Sequence, residues 1–169
     1  MSRGLGDVYK RQFIDSMPND KVTGLLSSID EEFLIVSKNG KGFISNTDSL
    51  ATSQKKGKQL FNLKNNDVVI KVLKLTKKHI ACVTKLHKML IFEIDVLPKL
   101  QKGGGVQLIK IKKDDFLSDV TQLTIEDGLV WSTGSKKRRL DEVEFWIGKR
   151  AQAGKKVPKF FNKNQQFDD

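Results

Sequence analysis

Apolar residues along the chain occur in short runs of strand length. Runs of four lie at 33–36, 80–83 and 89–92, and each is bounded by polar or turn-forming residues. Asn39-Gly40 follows the first run, and this dipeptide favours the positive φ angles of a type I′ turn. The pattern therefore predicts short β-strands and, at the Asn-Gly step, a β-hairpin with a type I′ turn.

No segment carries a sustained apolar stripe at 3.6-residue spacing with capping residues at both ends. An amphipathic α-helix requires that pattern. Two short stretches, 48–50 and 95–97, each follow a predicted strand and favour a single helical turn. The chain is accordingly predicted to be all-β.

An internal repeat of 47 residues organises these strands. The clearest pairs at this shift are Val36 with Val83, Ile44 with Ile91, Asp48 with Asp95, and Gly57 with Gly104. A weaker third copy begins at Leu129 and reaches Gly154, fifty positions after Gly104. All-β units of roughly 40–50 residues are typical of propeller-like folds, in which each unit buries its apolar face against a neighbour. We therefore predict a propeller-like array of about three blades.

The domain boundaries are predicted from where the repeat begins and ends. Residues 1–12 show no period, match nothing later in the chain and resemble translated adapter sequence. We expect them to be a non-native leader, in which case the natural protein continues upstream; the alternative is a disordered native N-terminus. The repeat domain is expected to occupy residues 13–163, and residues 164–169 are expected to form a polar tail.

The positive net charge of the chain indicates which classes of partner it attracts. Among its 169 residues, 31 Lys and Arg stand against 20 Asp and Glu, a formal net charge of +11. Such a surface repels itself and attracts polyanions such as DNA; the other interpretation is a basic surface that only maintains solubility. Cys82 is the only cysteine, so we expect a buried thiol and neither a disulfide nor a metal site. No apolar run approaches the ~20 residues of a membrane span, and a cytoplasmic, nucleoid-associated protein is expected.

Each repeat contains a basic, glycine-containing loop at the same place, at 53–59, 101–105 and 151–156. Glycine permits a close approach of a backbone N–H to a phosphate, and lysine adds charge and releases counterions. One such loop is more often an exposed turn, but three in register predict several phosphate contacts along one rim. The predicted phosphate contacts are Lys55, Lys56, Lys58, Lys102, Lys149, Arg150, Lys155 and Lys156.

The aromatic residues are predicted to be structural, unlike the lysines of the basic loops. Most lie inside or beside apolar runs, so we expect them in the core rather than in contact with bases. These residues are Phe33, Phe43, Phe61, Phe92, Trp131, Phe145 and Trp146. No ribonucleoprotein-type aromatic motif is present, which disfavours a sequence-specific RNA-binding module. Signatures of catalysis, such as a P-loop or a nucleophile elbow, are absent from the sequence, and carboxylate pairs such as Asp114-Asp115 are expected to be solvated.

The order of several short motifs resembles the C-terminal domain of the topoisomerase IV A subunit. In that family a Leu-Pro-x-Leu segment precedes a basic glycine loop near the final blades, as 97–105 does here. The other matching segments are 40–43 with 57–58, 89–92, and 148–155. As an ordered set these motifs cover most of the chain from about residue 22 to residue 163.

That resemblance implies a β-pinwheel fragment, a propeller-like disc that binds and bends duplex DNA along its basic rim. It also implies that no cofactor binds this chain, because ATP and Mg²⁺ act in other domains of the parent enzyme. The nucleophilic tyrosine belongs to the N-terminal part of the A subunit. The partners implied are duplex DNA, the ATPase subunit of the enzyme, and the rest of the A subunit. The degenerate glycine loops favour topoisomerase IV over gyrase, and bending over full wrapping.

Two other interpretations stay open at this point. One is a basic β-repeat scaffold whose rim binds acidic protein partners. The other is an independent RNA-binding module, which would favour single strands and need exposed aromatic side chains for stacking.

Overall fold

The computed structural model describes residues 31–50, 58–64 and 66–168. The strands in this part of the chain are β1 (Glu32–Ser37), β2 (Lys41–Asn46), β3 (Val69–Lys74), β4 (His79–Thr84), β5 (Lys88–Glu93), β6 (Val106–Gln107), β7 (Leu117–Leu123), β8 (Leu129–Thr133), β9 (Lys136–Leu140) and β10 (Lys155–Lys156). Short 3₁₀ turns cover Thr47–Leu50, Ile94–Val96 and Glu144–Trp146. The all-β prediction is confirmed, and so are the two single helical turns expected after strands.

The strands form three sheets on one plan. The first sheet has the order β3-β1-β2-β6 and the second has the order β7-β4-β5-β10. Glu32 and His79, the first residues of β1 and β4, lie 47 positions apart, so the sequence repeat corresponds to the structural unit. The third unit consists of the hairpin β8-β9 in the described part of the chain. The prediction of about three propeller-like blades is thereby confirmed.

Each complete sheet takes its fourth strand from the following unit. β6 comes after the second hairpin in the chain, yet Val106 pairs with Gly42 in β2. In the same way β10 comes after the third hairpin, and Lys155 pairs with Met89 in β5. This exchange links neighbouring units through backbone hydrogen bonds as well as through side-chain packing.

The first hairpin is confirmed, but its predicted type I′ turn is wrong. β1 and β2 pair in antiparallel register, and the Gly40 N–H donates to the Ser37 carbonyl at 3.0 Å. Gly40 has a φ of +82°, whereas Asn39 does not have a positive φ. The loop therefore has three residues, of which the last is left-handed. In the second hairpin His87, with a φ of +63°, takes the place of Gly40.

An aspartate stabilises each of the first two hairpin turns. Asp67 Oδ1 accepts a hydrogen bond from the Asn39 N–H at 2.9 Å. One repeat later, Asp115 Oδ1 accepts from the Leu86 N–H at 2.9 Å. Asp115 is partly exposed, and its carboxylate also satisfies a backbone donor of the turn.

The core lies between the units. Along β4, Ile80 and Cys82 belong to the apolar cluster shared with the first unit, whereas Ala81 and Val83 belong to the cluster shared with the third. Successive side chains of a strand point to opposite faces, so β4 is buried on both, which explains its continuous apolar run. The expectation of a buried Cys82 is confirmed. Burial raises the pKa of its thiol, and the nearby charge of Asp119 raises it further.

The last described residues complete the third unit. Gln165 and Phe167 are each 2% exposed, and the Ser132 N–H of β8 donates to the Phe167 carbonyl at 2.7 Å. Asn162 Nδ2 donates to the Ser132 carbonyl at 2.6 Å. The segment thus lies along the edge of β8 opposite to β9. Residues 164–169 are predicted to form a polar tail, but residues 164–168 pack on the third unit because Phe167 enters its apolar cluster.

Candidate nucleic-acid interface

The segment that follows each basic loop pairs with the next basic loop. The Asn62 N–H donates to the Gly103 carbonyl at 2.7 Å, and the Gly103 N–H donates to the Leu60 carbonyl at 3.0 Å. The third unit repeats this contact on the second, because the Ala151 N–H donates to the Leu108 carbonyl at 2.9 Å. The described segments of the three units therefore form one continuous row. We call it the loop row, and its segments are 58–62, 101–109 and 149–153.

Close backbone crossings account for two of the loop glycines. A Cβ at Gly105, which has a φ of +70°, would lie 2.8 Å from the Gly42 carbonyl oxygen. A Cβ at Gly154 would lie 2.8 Å from the Met89 carbonyl oxygen. These glycines occupy equivalent places, so the structural counterpart of Gly154 is Gly105 and not Gly104. These two positions lack a side chain because the exchanged strands cross the neighbouring backbone closely there. This role differs from the close approach to a phosphate that the sequence suggests.

Three predicted phosphate contacts are exposed on the loop row. Lys58, Lys102 and Lys149 belong to its first, second and third segments, and all three side chains are exposed. Lys102 and Lys149 take part in none of the ion pairs within the described residues. Lys55 and Lys56 lie outside those residues. The structure thus brings cations from successive units onto adjacent segments, where a single polyanion would meet them in turn.

Arg150 has a structural contact of its own. Its side chain is half-buried, and Nη1 donates to the Gln107 carbonyl at 2.8 Å. Gln107 belongs to β6, so this guanidinium ties the third loop to the strand that the second unit gives to the first sheet. Because a guanidinium has five N–H donors, this bond uses only part of its capacity.

A groove of about 520 Å³ lies beside the third hairpin. We call it the third-unit groove; its lining includes Trp131, Arg138, Arg139, Phe145, Trp146, Lys156, Lys159 and Phe160. The cations of β9 are exposed, because β8 is the only strand that pairs with β9 among the described residues. Arg139 Nε is paired with Asp141 at 2.6 Å. The other cations that line the groove have no ion pair in this part of the chain.

Two exposed rings at the groove each have a cation over one face. Lys155 Nζ lies 4.3 Å from the centre of the Phe145 ring. The Arg138 guanidinium carbon lies 5.6 Å from the centre of the Phe160 ring. Such cation–π contacts stabilise an exposed ring and its cation by about 0.5–1 kcal/mol. The groove therefore combines positive charge with aromatic surface, and the predicted contacts Lys155 and Lys156 belong to this region.

The aromatic expectations are confirmed for five residues and wrong for one. Phe33, Phe43, Phe61, Phe92 and Trp131 are buried. Phe145 is 58% exposed because it lies in a 3₁₀ turn and not in a strand; its neighbour Trp146 is partly buried against the apolar cluster of the third unit.

Arg138, Arg139 and Phe160 are not among the site residues predicted from the sequence. The signal for the two arginines is the charge run of β9, which replaces the apolar run of the earlier hairpins.

The described residues contain no group of three His, Cys, Asp or Glu side chains that would hold a metal ion. They also contain no helix with the length and apolarity to span a bilayer.

One protein family accounts for the two complete units. The family model described as the DNA gyrase C-terminal domain, beta-propeller, matches residues 31–76 and 78–123. The two segments begin 47 residues apart, as the structural units do, and together cover more than half of the chain. The chain belongs to this family. The β-propeller description agrees with the sheet order and strand exchange, and the resemblance drawn from short motifs is confirmed.

The curated proteins that are similar to this chain include A subunits of DNA topoisomerase 4. The A subunit of DNA topoisomerase 4 from Rickettsia bellii is 34% identical over 165 residues, covering 98% of this chain and 22% of that protein. The corresponding Escherichia coli K12 protein is 28% identical over 140 residues, covering 77% and 19%. The chain thus spans about a fifth of the length of these curated relatives.

Solved structures share the fold. The E. coli ParC C-terminal domain has a TM-score of 0.75 at 24% identity, with 90% of this chain and 66% of that chain covered. A crystal structure of the C-terminal domain of DNA topoisomerase IV has a TM-score of 0.70 at 20% identity, with 87% and 48% covered.

Proposed function

We propose that this domain binds duplex DNA along the loop row and bends it, as part of the A subunit of a bacterial type IIA topoisomerase, topoisomerase IV. The observation that carries the proposal is the backbone pairing between the segment that follows each basic loop and the next basic loop, which brings exposed cations of three units onto adjacent segments. Duplex DNA presents phosphates at regular intervals, and a row of cations from stacked units is suited to such a polymer.

Contacts of this kind position the protein without reading bases. Binding is therefore expected to tolerate changes of DNA sequence and to weaken steeply with salt, because each neutralised phosphate releases counterions. Cations on the rim of a propeller-like disc favour a curved path. DNA that follows this rim pays a deformation energy that depends on its shape and stiffness, and the domain would select DNA by geometry in that way.

In the whole enzyme the domain would present duplex DNA to the strand-passage machinery. The proposed partners are an ATPase subunit of the enzyme and the rest of the A subunit, with ATP and Mg²⁺ acting in those other parts. On this proposal the protein works in the cytoplasm at the nucleoid and contributes to chromosome segregation. The support is the family membership and the similarity to the A subunits of DNA topoisomerase 4.

The first test is the affinity of the full chain for a short linear duplex across a salt series. If about five phosphates are contacted, log K should fall against log salt with a slope of about −4 to −5. The variant K102E/K149E should lose affinity and reduce the slope by about 2. The matched control is K77E/K78E, which makes the same charge change at exposed lysines outside the loop row.

Bending is tested on the same complex with a duplex labelled at both ends for energy transfer. We expect transfer to rise when the wild-type chain binds. Tight binding without any rise in transfer would retain the DNA site and reject bending. A folded chain without measurable duplex binding at low salt would reject the proposal in favour of a scaffold for acidic proteins.

A further inference from the structure

Exposed aromatic surface distinguishes the third-unit groove from the loop row. Phe160 is 76% exposed and Phe145 is 58% exposed, and both line the groove. Large exposed rings contribute little to contacts with the phosphates of an intact duplex. A basic groove with exposed rings is instead the combination that binds single strands, because unpaired bases stack on aromatic faces while cations follow the backbone.

The backbone holds Phe160 outward in an unusual conformation. The Phe161 N–H donates to the Pro158 carbonyl at 3.2 Å, and Phe160, the third residue of this turn, has a φ of +66°. Glycine or asparagine is preferred at such a position. Phe161 turns inward and is 8% exposed. A bulky ring at a left-handed, exposed position adds nothing to the core, and strained residues of this kind concentrate at binding sites.

The side chains that line the third-unit groove indicate that its ligand is negatively charged. Arg138, Lys156 and Lys159 line the groove without an ion pair among the described residues, and no acidic side chain lines it. The Phe160 ring has Arg138 near one face and is otherwise mostly exposed to a further flat group. Phe145 contacts Lys155 and, in an edge-to-face arrangement, Trp146, and more than half of its surface stays exposed. A nucleotide combines one flat base with one phosphate in every repeat, which matches this combination of rings and cations. An acidic peptide supplies the negative charge without the flat rings.

We propose that the third-unit groove binds unpaired nucleotides of single-stranded DNA. The bases would stack on Phe145 and Phe160, and the phosphates would lie against Arg138, Lys156 and Lys159. This site is separate from the duplex contacts of the loop row and goes beyond the proposed function. It would let the domain hold DNA whose strands are locally separated.

Both tryptophans of the chain line the groove, so their fluorescence reports on this site. The experiment titrates the full chain with a 12-nucleotide oligo-dT and, separately, with an abasic 12-mer that has the same phosphates. We expect oligo-dT to quench the tryptophan emission and to bind about tenfold more tightly than the abasic strand, since each stacked base contributes to affinity.

Two variants separate binding from folding. Phe160→Asn removes the ring, and asparagine tolerates the left-handed backbone, so stability should stay at the wild-type level or rise while oligo-dT affinity falls about tenfold. Phe116→Ala is the matched control: Phe116 also has a cation over its ring, with Lys38 Nζ at 4.6 Å, but it does not line the groove. Its oligo-dT affinity should not change.

Measuring both oligo-dT affinity and duplex affinity of Phe160→Asn distinguishes a failure of this proposal from a failure of the duplex proposal. Loss of oligo-dT binding in Phe160→Asn with duplex affinity kept within about twofold supports a separate single-strand site. Equal affinity for the abasic strand, or unchanged oligo-dT affinity in Phe160→Asn, overturns it. Competition by an oligoglutamate peptide as strong as that by oligo-dT also overturns it, in favour of an acidic protein ligand.

Discussion

The second strands of the second and third hairpins occupy the same place in the plan and have opposite character. In β5 the residues at 89–92 are apolar and buried. In β9 the residues at 136–139 are cationic and exposed. The difference follows from the neighbours: β5 lies between β4 and β10, whereas β9 has β8 alone among the described residues. An edge without a covering strand is free to carry charge.

The repeat sets the packing of the units, and departures from the repeat set the chemistry of their surfaces. β6 and β10 are equivalent exchanged strands, yet β6 is Val-Gln and β10 is Lys-Lys. Both keep the same backbone pairing with the preceding hairpin. Cations of the complete units are partly held in ion pairs, such as Lys71 with Asp119 at 2.9 Å. The third unit instead gathers exposed rings and cations around one groove, and of those cations only Arg139 is in an ion pair among the described residues.

The largest difference in the loss of stability should appear between substitutions of two phenylalanines, one in the core and one at the groove. Phe92 in the second unit is 2% exposed and packs in the core between the first two units, so Phe92→Ala should lower the free energy of unfolding by about 3–5 kcal/mol. Phe145→Ala, at the third-unit groove, should lower it by less than about 1 kcal/mol. Denaturant unfolding of both variants measures the difference. Equal losses would show that Phe145 is a packing residue.

A smaller difference in the loss of stability is expected between alanine substitutions of two glycines with positive φ. Gly105→Ala places a Cβ against the Gly42 backbone at the strand exchange, and we expect a loss of about 2–3 kcal/mol. Gly134 in the β8-β9 turn has a φ of +58° with no atom within 4 Å of a Cβ. Gly134→Ala should therefore cost only the backbone strain, about 1 kcal/mol. Thermal unfolding of the pair checks the order, and a reversed order would contradict the close crossing.

The contribution of the C-terminal segment to the third unit is tested at Asn162. Asn162 Nδ2 bonds to the Ser132 and Gln166 carbonyls, and its Oδ1 accepts from Thr133 Oγ1 at 2.6 Å. Asn162→Ala should lower the free energy of unfolding by about 1–2 kcal/mol, because buried partners lose their hydrogen bonds. Lys163→Ala, at an exposed neighbour, should have no measurable effect. Equal stabilities of the two variants would mean that residues 164–168 do not complete the unit.

The smallest effect is a pH dependence from Cys82. Its pKa is raised above the ordinary value of 9.0 by burial and by Asp119. The folded chain therefore retains the thiol proton at pH values where the unfolded chain loses it. Stability from this group is complete below about pH 9 and is lost as pH rises above that value. Cys82→Ala should unfold with a weaker decline between about pH 9 and 10.5 than wild type. Identical declines in the two proteins would contradict this coupling.

The strands and their period were predictable from sequence because they depend on local alternation and on side-chain volume. The runs at 80–83 and 89–92 are apolar at every position because neighbouring units cover both faces of β4 and β5. The type I′ turn was predicted wrongly because the Asn-Gly pair is compatible with several turns; its geometry here includes the Asp67 carboxylate, 28 positions away from Asn39. The polar composition of 164–169 likewise concealed Phe167, whose burial depends on the third unit.

By itself the sequence determined the all-β class, the 47-residue unit, the buried thiol of Cys82 and the excess of positive charge, since composition and spacing suffice for each. Only the tertiary structure decided which loops are neighbours, why Gly105 and Gly154 lack side chains, and that Arg150 is held by β6. It alone placed Phe145 and Phe160 at one groove with Arg138 and Lys156. The physical reason is that strand exchange brings together residues that lie far apart in the chain, and no local pattern specifies which backbone groups then meet.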